Sequence, residues 1–282
     1  MVNVAKIVQM KRWLLLLCSL GVASPVWAAG FDPFAGPKPL AVLIESNPWA
    51  NVVGADTPQI AVYDDGRVIF LQGSGPKAAY RVATLDRVTF AGVKKRFRAV
   101  SGLKTLRKSY SLTPNLTDQP ATKIYLREGK REVVTQVSGL SADGQGAGAG
   151  TDLSGGLKPD KLPPELAELY RWLSRAQFSR SQKWQPKYVE VMLWDYSNAP
   201  EKSARWPKNW PSLRSKRAIK RGEDYSIFVD GKELPQITRF LAQKKQKAAV
   251  AWSGKKWAMD YRLTFPGEPM WDSAFNRAQY SD

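Results

Sequence analysis

Three times along this chain, two β-rich runs face each other across a short polar turn. The segments are "QIAVYDDGRVIFLQ" (Gln59 to Gln72), "ATKIYLREGKREVVTQV" (Ala121 to Val137) and "AAVAWSGKKWAMDYRLTF" (Ala248 to Phe265). Their turns fall at Asp64-Asp65-Gly66, Glu128-Gly129-Lys130 and Ser253-Gly254, where Gly66 supplies the positive φ of a tight hairpin. A turn this short can only join antiparallel neighbours, because a parallel pair needs a long crossover. The hairpins therefore commit most of the chain to antiparallel sheet.

Further strands are expected at "LAVLIES" (Leu40 to Ser46), closed by a turn at Pro48, and at "AAYRVATL", "KYVEVMLWDY" and "YSIFVDGKEL". Between them the hydrophobic period changes to that of a helix. Phe90, Val93, Phe97 and Val100 follow Asp86, a natural N-cap. "LPPELAELYRWLSRA" opens on Pro163 and Pro164 and lines up Leu166, Leu169, Tyr170 and Leu173. "PQITRFLAQKKQ" places Ile237, Phe240 and Leu241 on one side. The expected fold is α+β: mainly antiparallel sheet built from hairpins, three short-to-medium helices, and room for two lobes, the second beginning near residue 180. In this division 29–39 is a Pro-rich tether and 40–137 an N-terminal α+β region. A Gly-rich linker or loop covers 138–162, and 163–282 is a Trp-rich, basic α+β region with an irregular aromatic tail.

The first 28 residues read as an address. Lys6, Lys11 and Arg12 precede the apolar run "WLLLLCSLGVA", and "VWA" ends at Ala28 with small residues where a signal peptidase cuts. The run is too short for a membrane span. This predicts export, to the periplasm or beyond, and a mature chain with no transmembrane segment. Cys18 is the single cysteine and would leave with the leader. The mature chain must then be held by its core rather than by disulfides. Histidine is absent altogether. Ser-His-Asp and Cys-His catalysis are excluded, as is nearly every zinc, haem or copper site, and no cofactor is expected.

The formal net charge is +18, and the leader accounts for only three of the 43 basic residues. Such a charge favours anionic partners and says nothing about fold. Three basic runs stand out: Arg87 to Thr117, "EKSARWPKNWPSLRSKRAIKRG" (Glu201 to Gly222) and Arg239 to Lys256. The second carries Pro200, Pro207 and Pro211 in or beside it, which predicts a loop. The expected anion-binding residues are Arg205, Lys208, Arg214, Lys216, Arg217, Lys220 and Arg221, assisted by Lys244, Lys245 and Lys247. Trp206 and Trp210 either pin the loop to the sheet or offer a stacking platform for a base or sugar. The partners that suit this surface are an anionic envelope polymer, a lipid head group or an acidic protein face. Nucleic acid suits the chemistry but less well the compartment.

Other chemistry finds weaker footing. Ser74–Lys77 and Ser101–Lys104 match a Ser-Lys spacing without the partner motif. "SGLSADGQGAGAGTDLSGG" lacks the order of a phosphate cradle. Glu190, Asp195, Asp230 and Asp260 are the carboxylates available for glycosidic cleavage, and their spacing selects no pair.

The segments "AVLIESNPW", "VYDDGRVIF", "LTDQPATKIYL" and "KYVEVMLWDY" resemble parts of a family of exported bacterial proteins with no assigned activity. The likeness extends along most of the mature chain. It implies bacterial export and adds no site residue. The expectation is a non-enzymatic binding or interaction protein with a basic, aromatic surface. The alternatives are a glycan-binding or glycan-cleaving protein that stacks sugars on Trp, and a structural envelope protein with those rings buried.

Overall fold

The computed structural model describes residues 30–46, 57–114, 116, 119–140 and 158–279. The leader, the turn at Pro48 and most of the Gly-rich stretch lie outside the described residues. The strands in chain order are β1 (Pro39–Ser46), β2 (Pro58–Tyr63), β3 (Arg67–Gln72), β4 (Ala79–Thr84), β5 (Ser109–Ser111), β6 (Ala121–Glu128), β7 (Arg131–Ser138), β8 (Ser181–Lys183), β9 (Tyr188–Asp195), β10 (Glu201–Arg205), β11 (Ala218–Arg221), β12 (Asp224–Asp230), β13 (Ala248–Trp252) and β14 (Lys255–Leu263). The helices are α1 (Arg87–Ser101), α2 (Pro164–Arg175), α3 (Leu234–Gln243) and α4 (Glu268–Gln279). The fold is α+β, with two sheets that are antiparallel except at the pairs β5–β7 and β10–β13.

All three hairpins form at their expected turns. Gly66 has φ 84°, and Ser253 and Gly254 have φ 49° and 75°, the pair of positive values that a type I′ turn requires. An eight-stranded sheet has the order β5-β7-β6-β1-β2-β3-β4-β8, and a six-stranded sheet the order β10-β13-β14-β9-β12-β11. The described residues from Asp32 onward form one compact unit.

Three apolar layers hold it together. α1 and α2 cover one face of the larger sheet, through Val93, Phe97 and Val100 and through Leu166, Leu169, Tyr170 and Leu173. The Asp86 carboxylate accepts from the Val88 and Thr89 amides and caps α1. Each fully buried Leu contributes about 1.5–3 kcal/mol. The opposite face of that sheet packs on Phe265 and on Trp271 and Ala274 of α4. The smaller sheet covers one face with α3 and the 206–217 connection.

The structure departs from expectation in three elements. The tail is helical, so among the described residues there are four α-helices rather than three: Pro269 sits in the first turn of α4, where its missing N–H costs nothing, and Trp271 and Ala274 supply the buried stripe. The Pro-rich "tether" is docked: the Phe34 ring meets Phe228 edge-on at 5.9 Å, and its carbonyl accepts from the Gly267 amide at 2.8 Å. The stretch 201–222 is not simply a loop, since it begins as β10 and ends as β11.

Candidate functional site

β10 and β11 form the two opposite edges of the six-stranded sheet. Five strand spacings separate them, about 24 Å. The chain between them must therefore cross the sheet, and it does so over the apolar face. That crossing decides where the expected site residues go.

Trp206 and Trp210 anchor the crossing. They are only 8% and 4% exposed, and they pack with Leu213 against Val191, Leu193 and Val250. Trp206 stacks on Trp252 with centroids 4.2 Å apart and planes 3° apart, and meets Trp210 edge-on at 5.1 Å. Trp210 in turn meets Phe240 of α3 at 5.5 Å. These rings are core, and neither is a stacking platform for a ligand. The physical reason is the length of apolar face that an irregular segment has to cover where no helix reaches.

The ten basic residues do not share one face. Arg205 lies at the β10 edge, while Lys220 and Arg221 lie at the β11 edge. Lys220 pairs with Glu223 at 3.6 Å, and Arg221 is turned to the Ser226 hydroxyl at 2.8 Å and to Glu190 at 3.5 Å. The Arg217 guanidinium lies 5.3 Å from the centroid of Tyr188. Lys208, Arg214 and Lys216 are exposed along the crossing segment. Lys244 is used structurally, its ammonium donating to the Ala248 carbonyl at 2.7 Å. Lys245 and Lys247 are exposed just before β13, where the Lys247 amide donates to Glu201.

A different grouping does form. Arg205 stands opposite Ala251, and the turn Ser253-Gly254 swings Lys255 and Lys256 to the same corner. Ser203, Arg205, Trp206, Trp252, Lys255 and Lys256 line a depression of about 540 Å³, and no acidic residue lines it. Trp252 is half-buried, with one face on Trp206. Lys255 lies 5.7 Å from the Trp257 centroid, and Lys256 reaches the Ala199 carbonyl at 3.5 Å. The hairpin register pairs Val250 with Trp257 and Trp252 with Lys255, which places Trp252 at the corner.

The buried charges form a second constellation, at the junction of β9, β14 and α4. Arg262 pairs with Glu190 at 2.5 Å and donates to Glu268, which also accepts from the Phe265 amide at 3.1 Å. Burial works against the charge on Arg262, but Glu268 and Glu190 outweigh it and make the guanidinium more basic than usual. Burial, with the Asp272 charge nearby, pushes the Glu268 carboxyl up to about 7 despite Arg262. Glu190 is thereby committed to an ion pair. The other carboxylates suited to glycosidic chemistry hold local bonds: Asp195 to Ser197, Asp230 to the Lys232 amide and Asp260 to the Tyr261 amide. Ser101 of the Ser-Lys spacing donates to Glu128 at 3.1 Å. Among the described residues no group of three or more His, Cys, Asp or Glu is arranged to hold a metal ion. No family model, curated protein or solved structure matches the chain.

Proposed function

We propose that this chain is an exported binding protein that holds an anionic polymer of the cell envelope at the β10–β13 corner. The observation that carries this is the convergence of Arg205, Lys255 and Lys256 around the half-buried Trp252, in a depression lined by no acid. An excess of 43 basic over 25 acidic residues adds a field that draws polyanions to the whole surface. Export is supported by the basic start, apolar run and "VWA" of residues 1–28. Among the described residues no helix is long and apolar enough to cross a membrane.

Binding of this kind is driven by the release of counterions from the polymer, so affinity falls steeply as salt rises. The test is a titration of the protein with polyphosphate, dextran sulfate and neutral dextran at low and high salt. Both polyanions should bind at low salt and be released at high salt, and Arg205→Glu with Lys255→Glu should flatten the salt dependence. Binding that ignores salt, or that survives this double reversal unchanged, would overturn the reading.

A further inference from the structure

The larger sheet carries a second pocket, which shares no lining residue with the first. β8 is a three-residue edge strand that joins β4 across a separation of about a hundred residues, with Ala83 opposite Ser181 and Val82 opposite Gln182. Arg81 secures it, its guanidinium donating to the Ser181 hydroxyl at 2.8 Å and to the Ser181 carbonyl. The Trp184 amide donates to the Tyr80 carbonyl at 2.9 Å and carries the pairing past the strand end. Together with Pro266, these strands line an open depression of about 810 Å³. That is ample for a small organic ligand and far larger than a bare ion needs.

The register arranges its walls in rows. Arg67 stands opposite Thr84, and the position that continues β8 beyond Ser181, opposite Thr84, is Arg180. Two guanidinium-bearing residues thus flank one hydroxyl, about two strand spacings or 10 Å apart at the backbone. The next row is Ile69, Val82 and Gln182, an apolar bed with an amide at its end. Beyond it lies Trp184, which rests on Phe265 at 4.7 Å and lines the pocket wall. Gln185 adds a second amide.

These groups are available. Arg180, Gln182 and Gln185 are exposed, and among the described residues their side chains have no hydrogen-bond or ion-pair partner. Arg67 is paired with Asp65 through Nε, at 2.6 Å, which leaves its other N–H groups for a ligand. A simple anion would use the two guanidiniums and the exposed Lys183, which also lines the pocket, and would leave the amides and the indole idle. The amides, the Thr84 hydroxyl and the indole match a ring that carries several hydroxyls as well as an acid. Amides donate and accept together, as vicinal hydroxyls require, and an aromatic face suits the C–H side of a pyranose.

We infer that the pocket between β3, β4 and β8 binds a short acidic saccharide, with its carboxylate held by Arg67 and Arg180 and its ring against Trp184. This site shares no residue with the β10–β13 corner and does not depend on it.

The experiment is calorimetric titration of the full chain with trigalacturonate, maltotriose, inorganic phosphate and AMP. Trigalacturonate should bind more tightly than the other three. Arg180→Glu should weaken it by about tenfold or more, as expected for the loss of one hydrogen bond to a charged group. Gln182→Ala and the packing-conservative Trp184→Phe should each weaken it measurably in protein that keeps its near-ultraviolet circular dichroism. Arg205→Glu with Lys255→Glu, which disables the other corner, should leave this affinity within about twofold. The inference is overturned if trigalacturonate does not bind, if phosphate or AMP binds as tightly, or if the corner variants weaken binding as much as Arg180→Glu does.

Discussion

Arg262 and Glu190 stand directly opposite each other on β14 and β9, and their charged groups meet at 2.5 Å with both side chains nearly out of water. Glu268 of α4 reaches the same guanidinium from the other side. One cation thus ties the last helix to the central strands of the smaller sheet. Removing one partner from such an arrangement leaves buried charge without compensation. Arg262→Leu should therefore destabilise by about 3–5 kcal/mol, read as a lowered denaturant midpoint. A loss below about 1 kcal/mol would mean that the acids find water or another partner, and that the tie is dispensable.

Glu268 gives the same junction a pH dependence. Its carboxyl sits near 7 in the folded protein and near 4.5 when unfolded, because burial disfavours its charge. Between those values the folded state binds more protons than the unfolded one, so this group's contribution falls as pH rises from about 4.5 to 7. Several charges face the region: Arg262 from β14, Asp272 from α4, and Glu190, Lys123 and Arg221, which act on Asp272 from β9, β6 and β11. Glu268→Gln should flatten the profile of stability against pH over this window. An unchanged profile would assign the slope to another group.

The crossing segment supplies a stability prediction separate from any ligand. Trp206 is clasped between Trp252 and Trp210 and lies over the apolar face of the smaller sheet. Trp206→Ala should cost about 3–5 kcal/mol, and Trp206→Phe distinctly less. If Trp206→Ala instead left the thermal midpoint unchanged, the ring would not be holding the crossing in place.

Local signals were legible in the sequence. Gly66, Gly129 and Ser253-Gly254 marked the hairpins, and Asp86 and the Leu166–Leu173 stripe marked two helices, because each depends on neighbours a few residues away. What could not be read was strand order. Nothing near Arg205 or Lys220 in the sequence says that β10 and β11 lie at opposite edges, so the two residues look like parts of one basic surface. For the same reason a segment broken by prolines looks like a solvated loop, although its tryptophans must cover a sheet. Arg67, Thr84 and Arg180 become neighbours only through the pairing of β4 with β8. α4 was missed for a local reason: Pro269 reads as a breaker unless it is known to fall in a first turn.

The opposite-edge arrangement makes the last prediction directional. If polymer binding uses the corner, charge reversals of equal size should differ by edge. Arg205→Glu with Lys255→Glu alters a depression lined by no acid, whereas Lys216→Glu with Lys220→Glu alters exposed positions at the far edge, where Lys220 already has Glu223 as a partner. Both pairs of substitutions change the net charge equally, so a purely long-range field would respond to them alike. The corner pair should lower affinity for polyphosphate at low salt by about tenfold or more, since it removes direct charged contacts. The far-edge pair should lower it by no more than about threefold, through the weakened field alone. Equal losses from the two pairs would show that the polymer is held by overall charge and that the corner has no special part in it.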